Sequence, residues 1–347
     1  MRKKTIKTQR RILAALLVCI LLLCGCGQPK VSRQTETYYT WFDTVTTVTA
    51  YDTPARFEAA CALVAEVLEG YHKAADIYYE YSGVVNARSL NALAGTGPVA
   101  VDSRLLELVQ FGQQMYDLTD GLCSIALGSV LALWHDAREA AVDGIGTLPA
   151  EEALLAAAEH CRMEDVIVDA SNGTVELRDA AMSLDFGAIA KGYAAEQAAQ
   201  ALAAAGYTGY ALSVGGNVRT VGTKAENAPW VAGIQNPDTE AAQSYLASVE
   251  LTDAALVTSG SYQRYFECDG VRFHHIIDPA TLHPRNELLS VTILSPDSGV
   301  ADALSTAVFN LPIEQGKAFI ESLEQTEACW ITAEGELVYS SGFPQNR

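Results

Sequence analysis

Apolar residues follow two different spacings along the chain, and each spacing predicts a different element. Over residues 54–79 they recur every three or four positions, which predicts an amphipathic helix. Asp102 is placed to cap a second helix to about residue 118, and Pro149 opens a third, alanine-rich helix to about residue 160. Two further helices are predicted over residues 301–311 and 313–323.

Other stretches are rich in β-branched and aromatic residues, which predicts strands. They cover residues 39–51, 166–168, 174–177, 210–214, 230–234, 255–258, 273–277, 290–294, 329–332 and 337–339. Asn172-Gly173 and Glu334-Gly335 separate pairs of these stretches and favour hairpins. Because helices and strands alternate without a repeat, we predict one compact α+β domain with central β-sheets flanked by helices.

The amino terminus differs from this body. Residues 1–11 hold six basic residues and no acid, and an unbroken apolar run of 12 residues follows at 12–23. This run is shorter than the roughly 20 residues of a membrane-spanning helix and fits a signal peptide. Leu23-Cys24-Gly25-Cys26 then matches the lipobox of bacterial lipoproteins. We predict removal of residues 1–25, a lipid on Cys26 and a polar tether over residues 26–37. An uncleaved anchor and ordinary secretion are the alternatives, and both also place the body outside the cytoplasm.

The net charge narrows the possible partners. The chain has 23 basic and 42 acidic residues, a formal charge of −19, and loss of residues 1–25 leaves 17 basic residues and −25. Such acidity argues against nucleic acid as a partner, since phosphate recognition relies on Lys and Arg. A lipid, and not a basic patch, must therefore hold the protein at a membrane. Five cysteines follow Cys26 without a zinc-site spacing, and we expect most of them to be buried apolar residues.

Two glycine-containing segments are candidates for ligand contact. Residues 184–193 predict a strand that runs through Gly187 into a helix, so that helix amide groups and Lys191 face an anion. Residues 213–217 place a glycine pair between two strands, where backbone can approach a flat ligand. A solvated surface lysine and a plain hairpin turn are the alternatives.

Two further segments carry polar chemistry. His274 and His275 lie in a predicted strand and point to opposite faces, so they do not chelate one metal together; one is functional and the other structural. Asp302, Ser305 and Thr306 share one face of a predicted helix and offer hard oxygen ligands suited to Mg²⁺. The alternative is that Ser305 and Thr306 bond back to their own helix.

In order and spacing, these segments resemble the FAD:protein FMN transferases, the ApbE family of extracytoplasmic lipoproteins. The resemblance covers residues 38–342 and implies an ApbE-like flavin transferase domain over residues 38–347, anchored to the bacterial cell membrane. Further matching motifs are Thr40-Trp41-Phe42-Asp43-Thr44, Asp76-Ile77-Tyr78, residues 121–134 and Thr258-Ser259-Gly260-Ser261-Tyr262.

The resemblance implies a reaction at the FAD pyrophosphate that depends on Mg²⁺. The hydroxyl of a threonine or serine in a target protein attacks the phosphorus of the FMN half, AMP leaves, and FMN becomes attached through a phosphoester bond. The implied target is a quinone-reductase subunit or an FMN-carrying domain. His275 is the implied base or hydroxyl-orienting residue, and Asp278 braces its loop. The implied metal ligands are the main-chain oxygen of Ala188 with Asp302, Ser305 and Thr306. The implied FAD contacts are Phe42, Asp76, Ile77, Tyr78, Ser124, Lys191 and Ile276.

Four positions depart from the family pattern. Ser305 replaces a second acid, Ser124 replaces an Asp, Phe42-Asp43-Thr44 replaces Met-Gly-Thr, and Thr281-Leu282-His283 lacks the usual glycine. Two rival functions stay open. An FAD pyrophosphatase would use water in place of the acceptor hydroxyl, and a non-catalytic flavin-binding or solute-binding lipoprotein would not need the Asp302 face.

Overall fold

The computed structural model describes residues 30–238 and 240–344. The predicted signal peptide, Cys26 and the first residues of the predicted tether lie outside these ranges. Within them, no helix combines the length and apolar character that a membrane crossing requires.

The described residues form fifteen strands and eight α-helices. The strands are β1 (Ser32–Tyr38), β2 (Thr46–Asp52), β3 (Val99–Ala100), β4 (Val166–Asp169), β5 (Thr174–Leu177), β6 (Tyr210–Val214), β7 (Asn217–Val221), β8 (Trp230–Gln235), β9 (Tyr245–Leu251), β10 (Ala255–Gly260), β11 (Tyr265–Cys268), β12 (Val271–His274), β13 (Leu288–Ser295), β14 (Glu327–Thr332) and β15 (Leu337–Tyr339). The helices are α1 (Pro54–Ala75), α2 (Ala87–Ala92), α3 (Ser103–Leu118), α4 (Gly128–Glu139), α5 (Glu151–Ala158), α6 (Ala190–Ala204), α7 (Ser298–Phe309) and α8 (Ile313–Glu321).

An antiparallel eight-stranded sheet lies at the centre, in the order β1-β2-β6-β7-β10-β13-β14-β15. Alternate residues of its strands point to opposite faces. Val257 packs with α7 and α8 on one face, together with Val291 and Trp330. Its neighbour Leu256 packs with the β8–β9 hairpin on the other face. Helices α1, α3 and α6 extend the first layer over β2 and β6. The α+β prediction is confirmed.

The predicted helices are present, with small differences at their ends. The Asp102 carboxylate accepts the Arg104 N–H at 2.9 Å, so the predicted cap of α3 is confirmed. Helix α1 stops four residues before the predicted end because the Asp76 side chain binds the next main-chain N–H groups. Sequence periodicity missed α4, which begins directly after a 3₁₀ turn.

Four expectations about extended segments were wrong. The tether prediction fails from Ser32 on, because β1 pairs with β2 along all seven of its residues. Residues 39–45 are not part of a strand, since Phe42 and Asp43 adopt positive φ angles of 56° and 50° in a turn. The strand predicted over residues 273–277 ends at His274, where the side chain accepts the Ile276 N–H. The strand predicted before Gly187 is absent, because residues 184–186 have no regular secondary structure and join no sheet.

The cysteines after Cys26 are all free thiols. Cys61, Cys123 and Cys329 are buried, and burial raises the pKa of each thiol. Their burial confirms the interpretation as small core residues, while Cys161 and Cys268 are only partly buried.

Candidate active site

Helices α6 and α7 approach each other closely at Gly192. A Cβ atom at this position would lie 2.3 Å from the Ser298 carbonyl oxygen and 2.4 Å from Asp302 Cβ. Only glycine permits this approach. Because of it, the Gly192 N–H donates to Asp302 Oδ2 at 2.8 Å, across the helix pair, in place of the carbonyl of Ala188 four residues earlier.

Because the Gly192 N–H bonds to Asp302, some oxygen atoms at the junction are left without a hydrogen bond. Within the described residues, the Ala188 carbonyl accepts no hydrogen bond. The Asp302 carboxylate is buried, and both of its described contacts are to Oδ2: the Gly192 N–H and, at 3.5 Å, Lys191 Nζ. Asp302 Oδ1 is therefore available to a cation. The predicted residues Ala188, Lys191 and Asp302 thus converge.

The two hydroxyls of the predicted set differ. Ser305 is fully buried; its Oγ donates to the Asp302 carbonyl at 2.8 Å and lies 2.7 Å from Ser259 Oγ. The alternative of a hydroxyl bonded back to its helix therefore describes Ser305. Thr306 is partly exposed, and its hydroxyl has no hydrogen-bond partner among the described residues.

A carboxylate-rich metal centre is not present in the described part of the chain. No group of three or more His, Cys, Asp or Glu side chains there is arranged to hold a metal ion. The oxygens of Ala188, Asp302 and Thr306 are hard ligands, as Mg²⁺ requires, and Mg²⁺ usually keeps several waters. These residues fit a magnesium ion bound through few protein contacts.

His274 and His275 have the separate roles that their sequence suggests. His274 is buried, its Nε2 donates to the Arg285 carbonyl at 2.7 Å, and its Nδ1 accepts the Ile276 N–H at 3.2 Å. Both ring nitrogens therefore serve the local fold. Burial lowers the pKa of His274, so the ring is neutral near neutral pH.

His275 is half-buried, and its ring lies against the main chain of Arg264. Its main-chain N–H donates to the Arg264 carbonyl at 3.1 Å, and Nδ1 lies 3.3 Å from the same oxygen. Burial lowers the pKa of His275 to about 3, and the positive charges of Arg264 and Lys191 add to this effect. The ring is therefore neutral at neutral pH. With Nδ1–H donating to the carbonyl, Nε2 carries the free lone pair.

Arg264 joins the site although the sequence patterns did not indicate it. Its guanidinium donates to the Asp43 carbonyl at 3.4 Å and lies 3.6 Å from the Asp43 carboxylate. This contact joins residues 221 positions apart, so no local spacing could reveal it. Burial raises the pKa of both Asp185 and Tyr78, and the positive charge of Arg264 opposes this rise at each residue.

A cavity of about 400 Å³ adjoins this region. Ile77 and Tyr78, two of the predicted FAD contacts, line it. His135 and Asp185 also line it and were missed by the sequence prediction, although Asp185 lies inside the glycine-containing segment before α6. The Tyr78 hydroxyl lies 3.4 Å from His135 Nδ1. Burial raises the pKa of Asp185, although its carboxylate accepts the Gly187 N–H.

The remaining predicted FAD contacts do not line this cavity. Asp76 uses Oδ1 for the N–H groups of Tyr78 and Tyr79 and Oδ2 for the Tyr81 hydroxyl, so it shapes the loop. The Phe42 N–H donates to His72 Nδ1 at 3.2 Å.

Two other predicted contacts are limited by their surroundings. The Ser124 hydroxyl accepts the Ala126 N–H at 3.2 Å and caps a 3₁₀ turn. The Ile276 side chain is buried in the core beneath the sheet, which leaves only its main chain for a ligand. Asp278 accepts the Ala280 N–H at 2.9 Å, which confirms that it braces its loop.

A family model described as the ApbE family matches residues 42–330, from the turn at Phe42 to Trp330 in β14. The chain belongs to the ApbE family. Among its ApbE relatives, an FAD:protein FMN transferase of Klebsiella pneumoniae is 32% identical over 286 residues, which cover 82% of this chain and 85% of that protein. An FAD:protein FMN transferase of Treponema pallidum is 35% identical over 268 residues, which cover 73% and 72% of the two chains.

Solved ApbE structures share the fold. The ApbE protein of Thermotoga maritima superposes with a TM-score of 0.78 at 26% identity, over 89% of this chain and 97% of that one. The flavin transferase ApbE of Vibrio cholerae superposes with a TM-score of 0.76 at 26% identity, over 90% and 99%.

Proposed function

We propose that this chain is an FAD:protein FMN transferase. The observation that carries the proposal is the ApbE match over residues 42–330, which includes both the α6–α7 junction and the His275 loop. The relatives named for this activity align over more than two thirds of their own length. FAD is the substrate, and a second protein is the acceptor.

The transfer breaks one phosphoanhydride bond and forms one phosphoester bond. The hydroxyl oxygen of an acceptor threonine or serine attacks the FMN phosphorus, the bridging oxygen leaves with AMP, and the hydroxyl proton must go to a base. His275 is suited to take this proton because its ring is neutral and Nε2 has a free lone pair. The diphosphate of FAD would place negative charge near Arg264 and Lys191, which raises the proton affinity of His275 during the reaction.

The α6–α7 junction is the proposed metal site. Ala188, Asp302 and Thr306 would hold Mg²⁺ through open oxygens, and Ser305 would support Asp302 from within the helix. When bound, Mg²⁺ neutralises charge on the pyrophosphate. Lys191, beside Asp302, would contact the same group. The mature chain has a net charge of −25, so few Lys and Arg side chains are available to bind a diphosphate. A metal ion would supply the positive charge that they do not.

We further propose that the mature protein is held by a lipid on Cys26 at the outer side of the cell membrane, through a tether that ends at Ser32. Palmitate labelling of cells that express the chain should mark the wild-type protein and not a Cys26→Ala variant. Equal labelling of both would contradict the anchor.

The transferase and the pyrophosphatase differ only in the group that attacks. Residues 27–347 are incubated with FAD, Mg²⁺ and a threonine-bearing acceptor domain, and flavin fluorescence is read on a denaturing gel. We expect a fluorescent acceptor band that disappears when the acceptor threonine is replaced by valine. Consumption of FAD without acceptor labelling would instead support a pyrophosphatase, and tight binding of unchanged FAD would support a binding protein.

A further inference from the structure

A buried ion pair lies behind the proposed metal site. Glu196, on α6, is 4% exposed. The guanidinium of Arg219, on β7, donates two hydrogen bonds to its carboxylate, from Nε to Oε2 at 2.7 Å and from Nη2 to Oε1 at 3.1 Å. Burial raises the pKa of Glu196, but the bonds from Arg219 and from the Ser298 N–H outweigh it and the pKa is lowered. Glu196 is therefore an ionised, fixed carboxylate in the interior.

This carboxylate also anchors the start of α7. The Ser298 N–H, at the first residue of α7, donates to Glu196 Oε2 at 3.0 Å. A negative charge stabilises a helix amino terminus, where N–H groups lack partners within the helix. Glu196 thus binds Arg219 and α7 at the same time.

The hydrogen bond between Glu196 and Ser298 lies one helical turn from the proposed metal site on both helices. Glu196 follows Gly192 by four residues on α6, and Ser298 precedes Asp302 by four residues on α7. Two hydrogen bonds one turn apart therefore join the helices: Glu196 to Ser298 and Gly192 to Asp302. Together they set the register of α7 against α6.

We propose that Glu196, held in place by Arg219, is a positioning residue for the metal site. This inference rests on the proposed function. The register that Glu196 fixes keeps Asp302 Oδ2 on the Gly192 N–H, and that bond leaves the Ala188 carbonyl and Asp302 Oδ1 open. Loss of the Glu196–Ser298 hydrogen bond frees the start of α7 and misplaces the Asp302 carboxylate. Residues that bind a metal ligand fix the orientation of that ligand.

The test measures metal binding without turnover. Free Mn²⁺, a spectroscopic probe for Mg²⁺ sites, is titrated into residues 27–347 by electron paramagnetic resonance with no FAD or acceptor present. Glu196→Gln keeps the shape of the side chain and removes its charge. We expect the Mn²⁺ dissociation constant to rise by about tenfold or more, while His275, on a separate loop, keeps its pKa.

Two further variants separate positioning from folding. Glu196→Met with Arg219→Met removes both buried charges, so the fold is retained, and Mn²⁺ binding should again be weak. Glu69→Gln removes an exposed carboxylate paired with Lys73 on α1 and should leave Mn²⁺ binding unchanged. Wild-type Mn²⁺ affinity in a folded Glu196 variant, or no Mn²⁺ binding by the wild-type chain, would overturn the inference. Failure of the proposed function would appear separately, as Mn²⁺ binding without FMN transfer.

Discussion

The α6–α7 junction and the His275 loop are held in place by different kinds of contact. At the junction, buried groups on two helices are joined by direct hydrogen bonds, and Gly192 allows no larger residue. The loop begins where β12 ends, is half-buried at His275, and is tied down through Arg264 to the exposed Asp43. The proposed metal side is therefore held by buried contacts, and the side proposed to receive the acceptor is more open.

This contrast matches the two tasks in the proposed reaction. A metal site needs fixed oxygens, and helices hold oxygens more precisely than loops do. An acceptor is a whole protein, so its hydroxyl must reach the site from outside. His275 lies at the exposed edge with a free nitrogen, while His274 secures the loop from beneath through both of its ring nitrogens.

The largest expected effect comes from the proposed metal side. Asp302→Ala should lower FMN transfer by roughly 10³-fold, since charge stabilisation by a metal is worth several kcal/mol. Mass spectrometry of the acceptor measures the transfer, and Mn²⁺ binding should be lost in the same variant. Asp169→Asn, at the end of β4 and away from the proposed site, is the control. Retained metal binding in folded Asp302→Ala would remove Asp302 from the metal site.

A variant of the His275 loop should lose FMN transfer but keep its metal binding. His275→Gln should lower transfer by about 10²-fold, the usual contribution of a general base. Mn²⁺ binding should stay at the wild-type level, because His275 is not one of the proposed metal ligands. His160→Gln, at a surface ion pair with Asp179, serves as the matched control. Weakened metal binding in His275→Gln would show that the two sides are not independent.

Gly192→Ala tests whether close helix packing sets the metal side. The added methyl group meets the Ser298 carbonyl and Asp302, so we expect a loss of about 1–3 kcal/mol in unfolding free energy and weaker Mn²⁺ binding. Ala203→Gly, on the exposed side of α6, should cost about 1 kcal/mol through helix propensity without changing Mn²⁺ binding. Equal metal binding in both variants would contradict the packing argument.

The smallest expected effect is a shift in pH dependence. Because the pKa of His275 is lowered to about 3, the acid limb of kcat/KM in the free enzyme should lie well below pH 6.5. Arg264→Gln removes a positive charge, which makes protonation of His275 easier. The pKa and the acid limb should therefore move to higher pH, although burial still keeps them below 6.5. A limb that moves to lower pH would contradict this electrostatic account.

Local patterns in the sequence predicted most elements of the fold but only part of the site. The spacing in α1, the cap at Asp102 and the Asn172-Gly173 turn are local signals, and the structure contains all three features. Strand β9 was missed, although it pairs with the predicted strand β8. The part of the tether from Ser32 on was mispredicted because its polar sequence carries no strand signal, and pairing with β2 decides its conformation.

The same limit applies to the site. Ala188, Lys191 and Asp302 were predicted from motifs, and they do converge. Arg264, His135 and Glu196 were not predicted. Each of these acts through partners far away in sequence, such as Asp43 for Arg264 and Ser298 for Glu196. Such contacts depend on the packing of whole elements, and no spacing within one element contains them.

The stoichiometry of the products tests the proposed reaction most directly. Residues 27–347, FAD, Mg²⁺ and an acceptor domain are incubated together, and released AMP is quantified against FMN bound to the acceptor. The account predicts one AMP for each FMN attached to the acceptor hydroxyl. AMP accompanied by an equal amount of free FMN, with the acceptor unmodified, would contradict it.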